Sequence, residues 1–152
     1  MFPSTVDRVP NHTSQAVNQE IRERTEDSVA RTAAAGPGAI RRRLAELDQE
    51  WDIERVLEAN AASISLVGLA LGATLNKKLL VLPAAVAGFL LQHALQGWCP
   101  PIGLFRRLGF RTQAEIEQER FALKALRGDF QHVRAGGGQP ADVERTLRAV
   151  RS

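Results

Sequence analysis

The sequence predicts an all-α protein in which a two-helix transmembrane hairpin is flanked by amphipathic cytoplasmic helices. Two apolar runs, at residues 59–75 and 79–98, contain no acidic or basic side chain other than His93. Only Asn76-Lys77-Lys78 separates them, and a connector this short makes two helices antiparallel neighbours. The other charged residues lie in the two flanks. An apolar centre between charged flanks is typical of a membrane-inserted hairpin.

The composition favours lipid over nucleic acid as a partner. The net charge is +3, and the basic residues lie close to the apolar runs, which favours an anionic lipid surface. Aromatic residues make up only 5% of the chain and tyrosine is absent, so platforms for base stacking are poorly supplied. We therefore expect the lipid bilayer as a partner and no nucleic acid.

The chain offers little for metal or redox chemistry. Cys99 is its single cysteine, which excludes an intrachain disulfide framework and a zinc site of the CxxC type. Because no metal-ligand spacing, phosphate-binding glycine loop or set of paired catalytic groups is visible, we expect a protein that is not an enzyme and holds no metal or cofactor. The first thirty residues contain no apolar run, so we expect insertion through the hairpin rather than through a signal peptide.

Two segments precede the hairpin. Residues 1–38 have little apolar surface to bury and are predicted to form a disordered or weakly helical tail. Residues 39–58 are predicted to form an amphipathic helix on the bilayer surface, because apolar residues recur there at spacings of about one helical turn. The apolar face consists of Ile40, Leu44, Leu47 and Trp51, and the predicted contacts with the membrane interface are Trp51, Arg41, Arg42 and Arg43.

The hairpin segment is predicted to extend over residues 59–112. A run of about seventeen residues is only ~25 Å long as a helix, short of a hydrocarbon core of ~30 Å, so the first run is a weak span by length. Gly68 and Gly72 form a GxxxG motif, which lets helices approach closely in lipid. Ala84 and Gly88 form a second pair of small residues, and the two pairs are predicted to pack the helices together.

The end of the hairpin segment, residues 97–112, is predicted to lie in the membrane interface. Pro100 and Pro101 end the second helix. Apolar side chains are then interleaved with arginines, which suits insertion among lipids with guanidinium groups on the phosphates. The predicted interface residues are Trp98, Arg106, Arg107 and Arg111.

Two further segments follow. Residues 113–135 are predicted to form a cytoplasmic helix that begins with a capping box, Thr112 and Glu115, and ends at Gly128. Residues 136–152 are predicted to contain a glycine-rich linker followed by a short C-terminal helix.

Residues 51–112 resemble the YgaP-like transmembrane domain family of small bacterial inner-membrane proteins. The resemblance depends on Glu54-Arg55 before the first run, on the glycine-bearing run itself, and above all on Gly97-Trp98-Cys99-Pro100 followed by Leu108-Gly109-Phe110-Arg111-Thr112. It implies a two-helix membrane hairpin that can dimerise, has a poorly defined function and is sometimes joined to a rhodanese domain. We expect no rhodanese domain in a chain of this length, so sulfur transfer is not implied.

Cys99 is a weak candidate for covalent chemistry. Nearby arginines could lower its pKa and make it a reactive thiol, but a small packing residue is the simpler interpretation. His93 precedes it by six residues, which places the two side chains about 240° apart on a helix. We expect His93 to hydrogen-bond across the hairpin or to lipid headgroups.

The basic residues predict an orientation. Arg41, Arg42, Arg43 and Arg55 precede the first run, Arg106, Arg107 and Arg111 follow the second, and only Lys77 and Lys78 lie between the runs. The positive-inside rule therefore places both termini in the cytoplasm.

The leading hypothesis is a small integral protein of the bacterial inner membrane whose small-residue rows support a homodimer or higher homo-oligomer. The sequence indicates no ligand or transported species. A rival hypothesis is a soluble all-α oligomer that buries the hairpin, since both runs are short and interrupted by polar residues. A third is a thiol-dependent sulfur or redox carrier that uses Cys99, which requires a lowered thiol pKa.

Overall fold

The structure, a computed structural model, describes residues 4–133 and 140–151. Of these described residues, 77% lie in helices and none lies in a strand, so the predicted all-α class is confirmed. Seven α helices are described: α1 (Gln15–Ala34), α2 (Pro37–Leu47), α3 (Ile53–Thr74), α4 (Val81–Gln96), α5 (Ile102–Arg107), α6 (Gln113–Arg127) and α7 (Pro140–Arg151). Short 3-10 helices lie at Pro10–His12 and Lys77–Leu80.

Helix α1 differs from the disordered or weakly helical tail predicted for residues 1–38. It extends over 20 residues, Gln15–Ala34, and its Ile21 side chain is buried. The Asn18 amide donates to the carbonyl of Pro10 at 2.9 Å. A polar sequence is a marginal helix in isolation, and most helical stability in proteins comes from tertiary packing. The sequence pattern of α1 does not reveal this packing, so it predicted too little helix in the segment.

The predicted amphipathic helix at residues 39–58 is divided in two. Helix α2 ends at Leu47, and Asp52 caps the start of α3 by accepting a hydrogen bond from the backbone N–H of Arg55 at 2.7 Å. A carboxylate at this position satisfies one of the free N–H groups of a helix start and favours a break before it. Trp51 therefore lies in the connection rather than on the apolar face of α2.

The chain forms two compact units. Unit 1 comprises Met1–Glu23 and Trp51–Glu115, and unit 2 comprises Arg24–Glu50 and Ile116–Ser152. The core of unit 1 combines one residue of the N-terminal segment with α3 and with the chain after α4. Its buried members are Val9, Ile53, Leu57, Cys99 and Ile102, with Phe105 and Phe110 packed against them.

Unit 2 has its own core, built from α2 and α6. Apolar residues at helical spacing on each of these helices pack against one another, with Val29 of α1 beside them. The buried members are Ile40, Leu44, Leu47, Ile116 and Leu123.

Helices α3 and α4 contact each other through the glycines of α3. Gly68 and Gly72 are buried, and a Cβ atom added to Gly68 would lie 2.8 Å from Cδ of Pro83. A Cβ atom added to Gly72 would lie 2.5 Å from Cδ2 of Leu80 and 3.2 Å from its backbone nitrogen. The glycines therefore leave room for Leu80 and Pro83, because a side chain on α3 at either position would clash with them.

The small residues of α4 do not face those glycines as the sequence analysis expected. Ala84 and Gly88 are exposed, and a Cβ atom added to Gly88 would meet no atom within 4 Å. Gly68 and Gly72 pack instead on Pro83 and Leu80. Leu80 caps the start of α4 and Pro83 lies in its first turn, so it is the beginning of α4 that contacts the glycines.

Helix α6 begins at the predicted capping box and ends before Gly128, so it is shorter than the predicted segment 113–135, of which residues 134 and 135 lie outside the described ranges. The backbone N–H of Thr112 donates to Glu115 Oε2 at 2.8 Å, and the N–H of Glu115 donates to Thr112 Oγ1 at 3.3 Å, which is the reciprocal pattern of a capping box. Gly128, with φ of 93°, follows the last residue of the helix. The predicted C-terminal helix corresponds to α7, while positions 136–139 of the predicted linker lie outside the described residues.

Substitution of Gly68 tests the close approach of α3 and α4. Gly68→Ala should lower the free energy of unfolding by about 1–3 kcal/mol, because the pyrrolidine ring of Pro83 has little freedom to move away from an added methyl group. The measurement is reversible unfolding of the purified full-length protein in detergent micelles.

Gly103→Ala, at an exposed position of α5, is the matched control. Its added methyl group meets nothing within 4 Å, so helix propensity alone should raise stability by up to about 1 kcal/mol. Equal stability changes in the two variants would contradict the packing role of Gly68.

Candidate functional site

Large apolar side chains cover the outer faces of α3 and α4. Among them, Leu66 is 67% exposed and Leu91 is 61% exposed. Soluble monomers rarely expose contiguous apolar surface of this kind, and such surface marks contact with a membrane or a partner. We call this surface the apolar band; it consists of Ile64, Leu66, Val67, Leu69, Leu71, Leu75, Leu79, Leu80, Val81, Leu82, Phe89, Leu91 and Leu95.

Part of the predicted interface set is exposed. Trp51 and Trp98 are 45% and 38% exposed, and the guanidinium carbon of Arg55 lies 4.3 Å from the centroid of the Trp51 ring. That geometry is a cation–π contact, which holds the indole at the start of α3. Arg41, Arg42 and Arg107 are also exposed.

The other predicted interface arginines, Arg43, Arg106 and Arg111, do not extend freely into solvent. Arg106 is 1% exposed and Arg111 is 7% exposed. Arg106 shares the inward face of α5 with Ile102, four residues earlier, whereas Arg107 points outward. The alternation of arginine with apolar residues predicted contacts with lipid phosphates, whereas Arg106 forms an internal ion pair.

The internal pair joins Arg106 to Glu115 of the α6 capping box. The two terminal nitrogens of Arg106 lie 2.6 and 2.7 Å from the two carboxylate oxygens of Glu115, and they also donate to Asn18 Oδ1 and to the carbonyl of Phe110. Burial opposes the charge of Glu115, but the bonds from Arg106 and Thr112 outweigh it and lower the pKa of this carboxylate. The Glu115 carboxylate thus caps the start of α6 and also pairs with the buried guanidinium of Arg106.

A second polar cluster joins the N-terminal segment to the ends of α3 and α4. Glu54 accepts from Arg8 Nη2 at 2.8 Å, and its other oxygen lies 2.6 Å from His93 Nε2. Arg8 Nη1 also donates to the carbonyl of Ala94 at 3.1 Å. His93 thus bonds across to α3, in agreement with one of the two partners expected for it.

The backbone of Arg8 packs on Gly97. This glycine has φ of 78° and ends α4, with its N–H donating to the carbonyl of His93 at 2.7 Å. A Cβ atom at Gly97 would lie 2.5 Å from the carbonyl oxygen of Arg8, so both the backbone conformation and the contact require glycine. Sequence reasoning missed the cluster of Arg8, Glu54 and His93, since its members lie in three separate segments.

Unit 2 contains a fully buried carboxylate, Glu119. It is 0% exposed and accepts from Ser28 Oγ at 2.6 Å and from Arg43 Nε at 2.8 Å. The hydrogen bond with Glu119 raises the pKa of Arg43, with a smaller opposing effect of burial. Arg43 therefore stabilises unit 2 rather than binding a headgroup as the sequence analysis expected.

Cys99 lies in the core of unit 1 and is 5% exposed. Burial raises the pKa of its thiol, which is the opposite direction from the one a reactive thiol requires. Its side chain borders an apolar pocket of about 210 Å³ between α3, α4 and the chain at 99–105. The structure thus favours the packing role of Cys99 over the carrier role.

Within residues 4–133 and 140–151, no group of three or more His, Cys, Asp or Glu side chains is arranged to hold a metal ion. The polar clusters described above are ion pairs that stabilise the fold. The surface feature that distinguishes unit 1 is therefore the apolar band.

Comparison of the chain with protein-family models, with curated proteins and with solved structures finds no match.

Removal of the Arg106 guanidinium tests the internal ion pair. Arg106→Met should lower the free energy of unfolding by about 3 kcal/mol, because it leaves the Glu115 carboxylate, which is 22% exposed, without its main partner. Thermal or denaturant unfolding of the purified protein provides the measurement.

Arg107→Met is the matched control at the exposed neighbouring position, where the change should stay within about 0.5 kcal/mol. If Arg106→Met were as stable as Arg107→Met, the ion pair would contribute nothing to the fold.

Proposed function

We propose that this protein is a small integral protein of the bacterial inner membrane, anchored by α3 and α4 as a two-helix transmembrane hairpin. The observation that supports the proposal is the apolar band, which exposes large apolar side chains along the two most apolar helices. Contact with lipid chains would remove this surface from water at a gain of roughly 25 cal/mol per Å².

Both candidate spans are long enough for this role. They are α3, Ile53–Thr74, with 22 residues, and the 3-10 helix together with α4, Lys77–Gln96, with 20 residues, and they qualify by length and composition only. At ~1.5 Å per residue, 22 residues extend for ~33 Å, close to a hydrocarbon core of ~30 Å. The turns of α3 that precede the first apolar run carry Glu54, Arg55 and Glu58, so in this proposal they lie at the membrane interface.

The burial of the two helices argues against the soluble rival. Only 28% of the apolar stretch of α3 and 6% of that of α4 is buried inside the protein. The core helix of a soluble domain buries most of its apolar residues. A soluble form would therefore have to cover nearly the whole apolar band with other copies of the chain.

The proposed orientation places both termini in the cytoplasm. Lys77 and Lys78 lie at the connection between α3 and α4, while exposed Arg41 and Arg42 precede α3 and exposed Arg107 follows α4. Burial of Arg106 and Arg111 in the folded protein leaves the bias in place, because the positive-inside rule acts on the chain as it inserts.

The proposed role is that of a non-enzymatic anchor. The resemblance to the YgaP-like family implies the two-helix membrane hairpin and leaves its function poorly defined. Self-association is supported by Ala84 and Gly88, which are exposed on α4 and free for close approach by a second copy. The raised pKa of Cys99 weighs against a thiol-dependent carrier.

Membrane fractionation tests the anchor. The full-length protein should stay in the membrane pellet through high-salt and carbonate washes and be released by detergent, because the apolar band contacts lipid chains. Release by carbonate without detergent would overturn the proposal and favour the soluble oligomer.

Charged substitutions sharpen that experiment. A double variant, Leu66→Asp and Leu91→Asp, should lose membrane retention, since a charge within a span costs about 2.5–3.5 kcal/mol. Leu126→Asp is the control, because Leu126 is 58% exposed but lies on α6, and its retention should be unchanged.

Labelling of single cysteines tests the orientation. In a Cys99→Ser background, Leu75→Cys at the end of α3 should react with a membrane-impermeant maleimide in cells with a permeabilised outer membrane. Ala125→Cys on α6 should react only after the inner membrane is broken. The reverse pattern would contradict cytoplasmic termini.

Chemical cross-linking tests self-association through α4. Gly88→Ile should reduce the cross-linked dimer, because its side chain would keep two α4 helices apart. Ala70→Ile places the same side chain on the exposed face of α3 and should leave the dimer unchanged. Equal dimer yields from the two variants would exclude α4 as the interface.

A further inference from the structure

The apolar pocket beside Cys99 lies along α3 and α4 between two points where the helices are held together. One point is the pair of Glu54 and His93, and the other is the contact of Gly68 with Pro83. Between them, α3 lines the pocket with residues 57, 60, 61 and 64, and α4 lines it with residues 86, 89 and 90. Two helices fixed at both points leave a gap wherever the facing side chains are small, as at Ala61.

The pocket has a buried inner part and an exposed rim. Leu57, Ala61 and Cys99 are at most 8% exposed, whereas Ile64 and Phe89 are 44% and 42% exposed. The rim residues belong to the apolar band, so the pocket opens onto the surface that carries the band. Its volume of about 210 Å³ exceeds the ~150 Å³ cavity that accommodates a benzene molecule.

The lining selects for an uncharged, apolar occupant. None of the side chains that line it is charged, and the amide of Asn60 is engaged with the carbonyl of Val56 on its own helix at 2.9 Å. Burial raises the pKa of the Cys99 thiol and keeps it neutral. A polar or ionised group placed here would lose its hydration without a partner.

We propose that this pocket binds one acyl chain of a membrane phospholipid, held against α3 and α4 with its headgroup-proximal part beside Cys99 and its end directed toward Gly68 and Pro83. The inference rests on the proposed membrane function, because the pocket opens within the apolar band and acyl chains are the apolar groups present at that surface. In the proposed orientation the pocket lies at the Glu54 and His93 end of the spans, so the chain comes from a lipid of the cytoplasmic leaflet. Filling the gap restores the packing contacts that an empty apolar pocket lacks.

The experiment uses the full-length protein in nanodiscs of phosphatidylethanolamine and phosphatidylglycerol that contain a phospholipid with a diazirine near the carboxyl end of one acyl chain. After photolysis, mass spectrometry maps the lipid adducts. The expected result is enrichment of adducts on the pocket-lining residues Leu57, Ala61 and Cys99 over the exposed band residues Leu66 and Leu91. Adducts spread evenly over the band, or absent from the pocket because a second copy covers it, would overturn the proposal.

Ala61→Phe fills the pocket and should remove the adducts on Cys99 and Leu57, while Ala62→Phe on the exposed side of α3 should leave them unchanged. The helical circular dichroism of both variants shows whether they fold, and the adduct map of the unchanged protein tests the proposal independently of either variant. Membrane retention is measured in the same preparations. A protein retained in the membrane without pocket adducts refutes only the acyl-chain site, whereas release by carbonate refutes the proposed function itself.

Discussion

The contact between α3 and α4 is the constraint on which unit 1 depends. Gly68 and Gly72 expose the backbone of α3, and Leu80 and Pro83 approach it more closely than any larger residue would permit. Close approach strengthens dispersion contacts and needs no hydrophobic driving force, which makes it an effective way to join helices in lipid. The same approach aligns Glu54 with His93 at one end of the pair and leaves the apolar pocket between the two contacts.

The charged residues around the helices pair chiefly with one another. Glu54 holds Arg8 and His93, Glu115 holds Arg106, and Glu119 holds Arg43. Glu54 and Glu119 join segments that are far apart in the sequence, whereas Glu115 pairs with an arginine only nine residues before it. A buried charge without a partner destabilises the fold, so removing one member of such a pair should cost more stability than the pair itself contributes. The outer faces of α3 and α4 are left apolar, and this contrast supports an anchor over a catalytic centre.

Several elements followed from local sequence rules. The capping box of Thr112 and Glu115 and the glycine at position 128 marked α6, and the two apolar runs marked the helices that are candidates to cross a membrane. Such signals act within a few residues and need no knowledge of the rest of the fold. The N-cap at Asp52 is also a local signal. The helical spacing of apolar residues continues across it, however, and therefore predicted one helix where the structure has two.

The sequence by itself determined the helical class, the apolar centre and the ends of α6, because periodicity and capping are properties of neighbouring residues. Only the tertiary structure decided that Arg106 and Arg43 are internal, that Ala84 and Gly88 face away from α3, and that Gln15–Ala34 is an ordered helix. Each of these outcomes depends on which distant segment supplies a partner. An arginine beside apolar residues fits a lipid phosphate or a buried carboxylate equally well, and the position of Glu115 in the fold settles the choice.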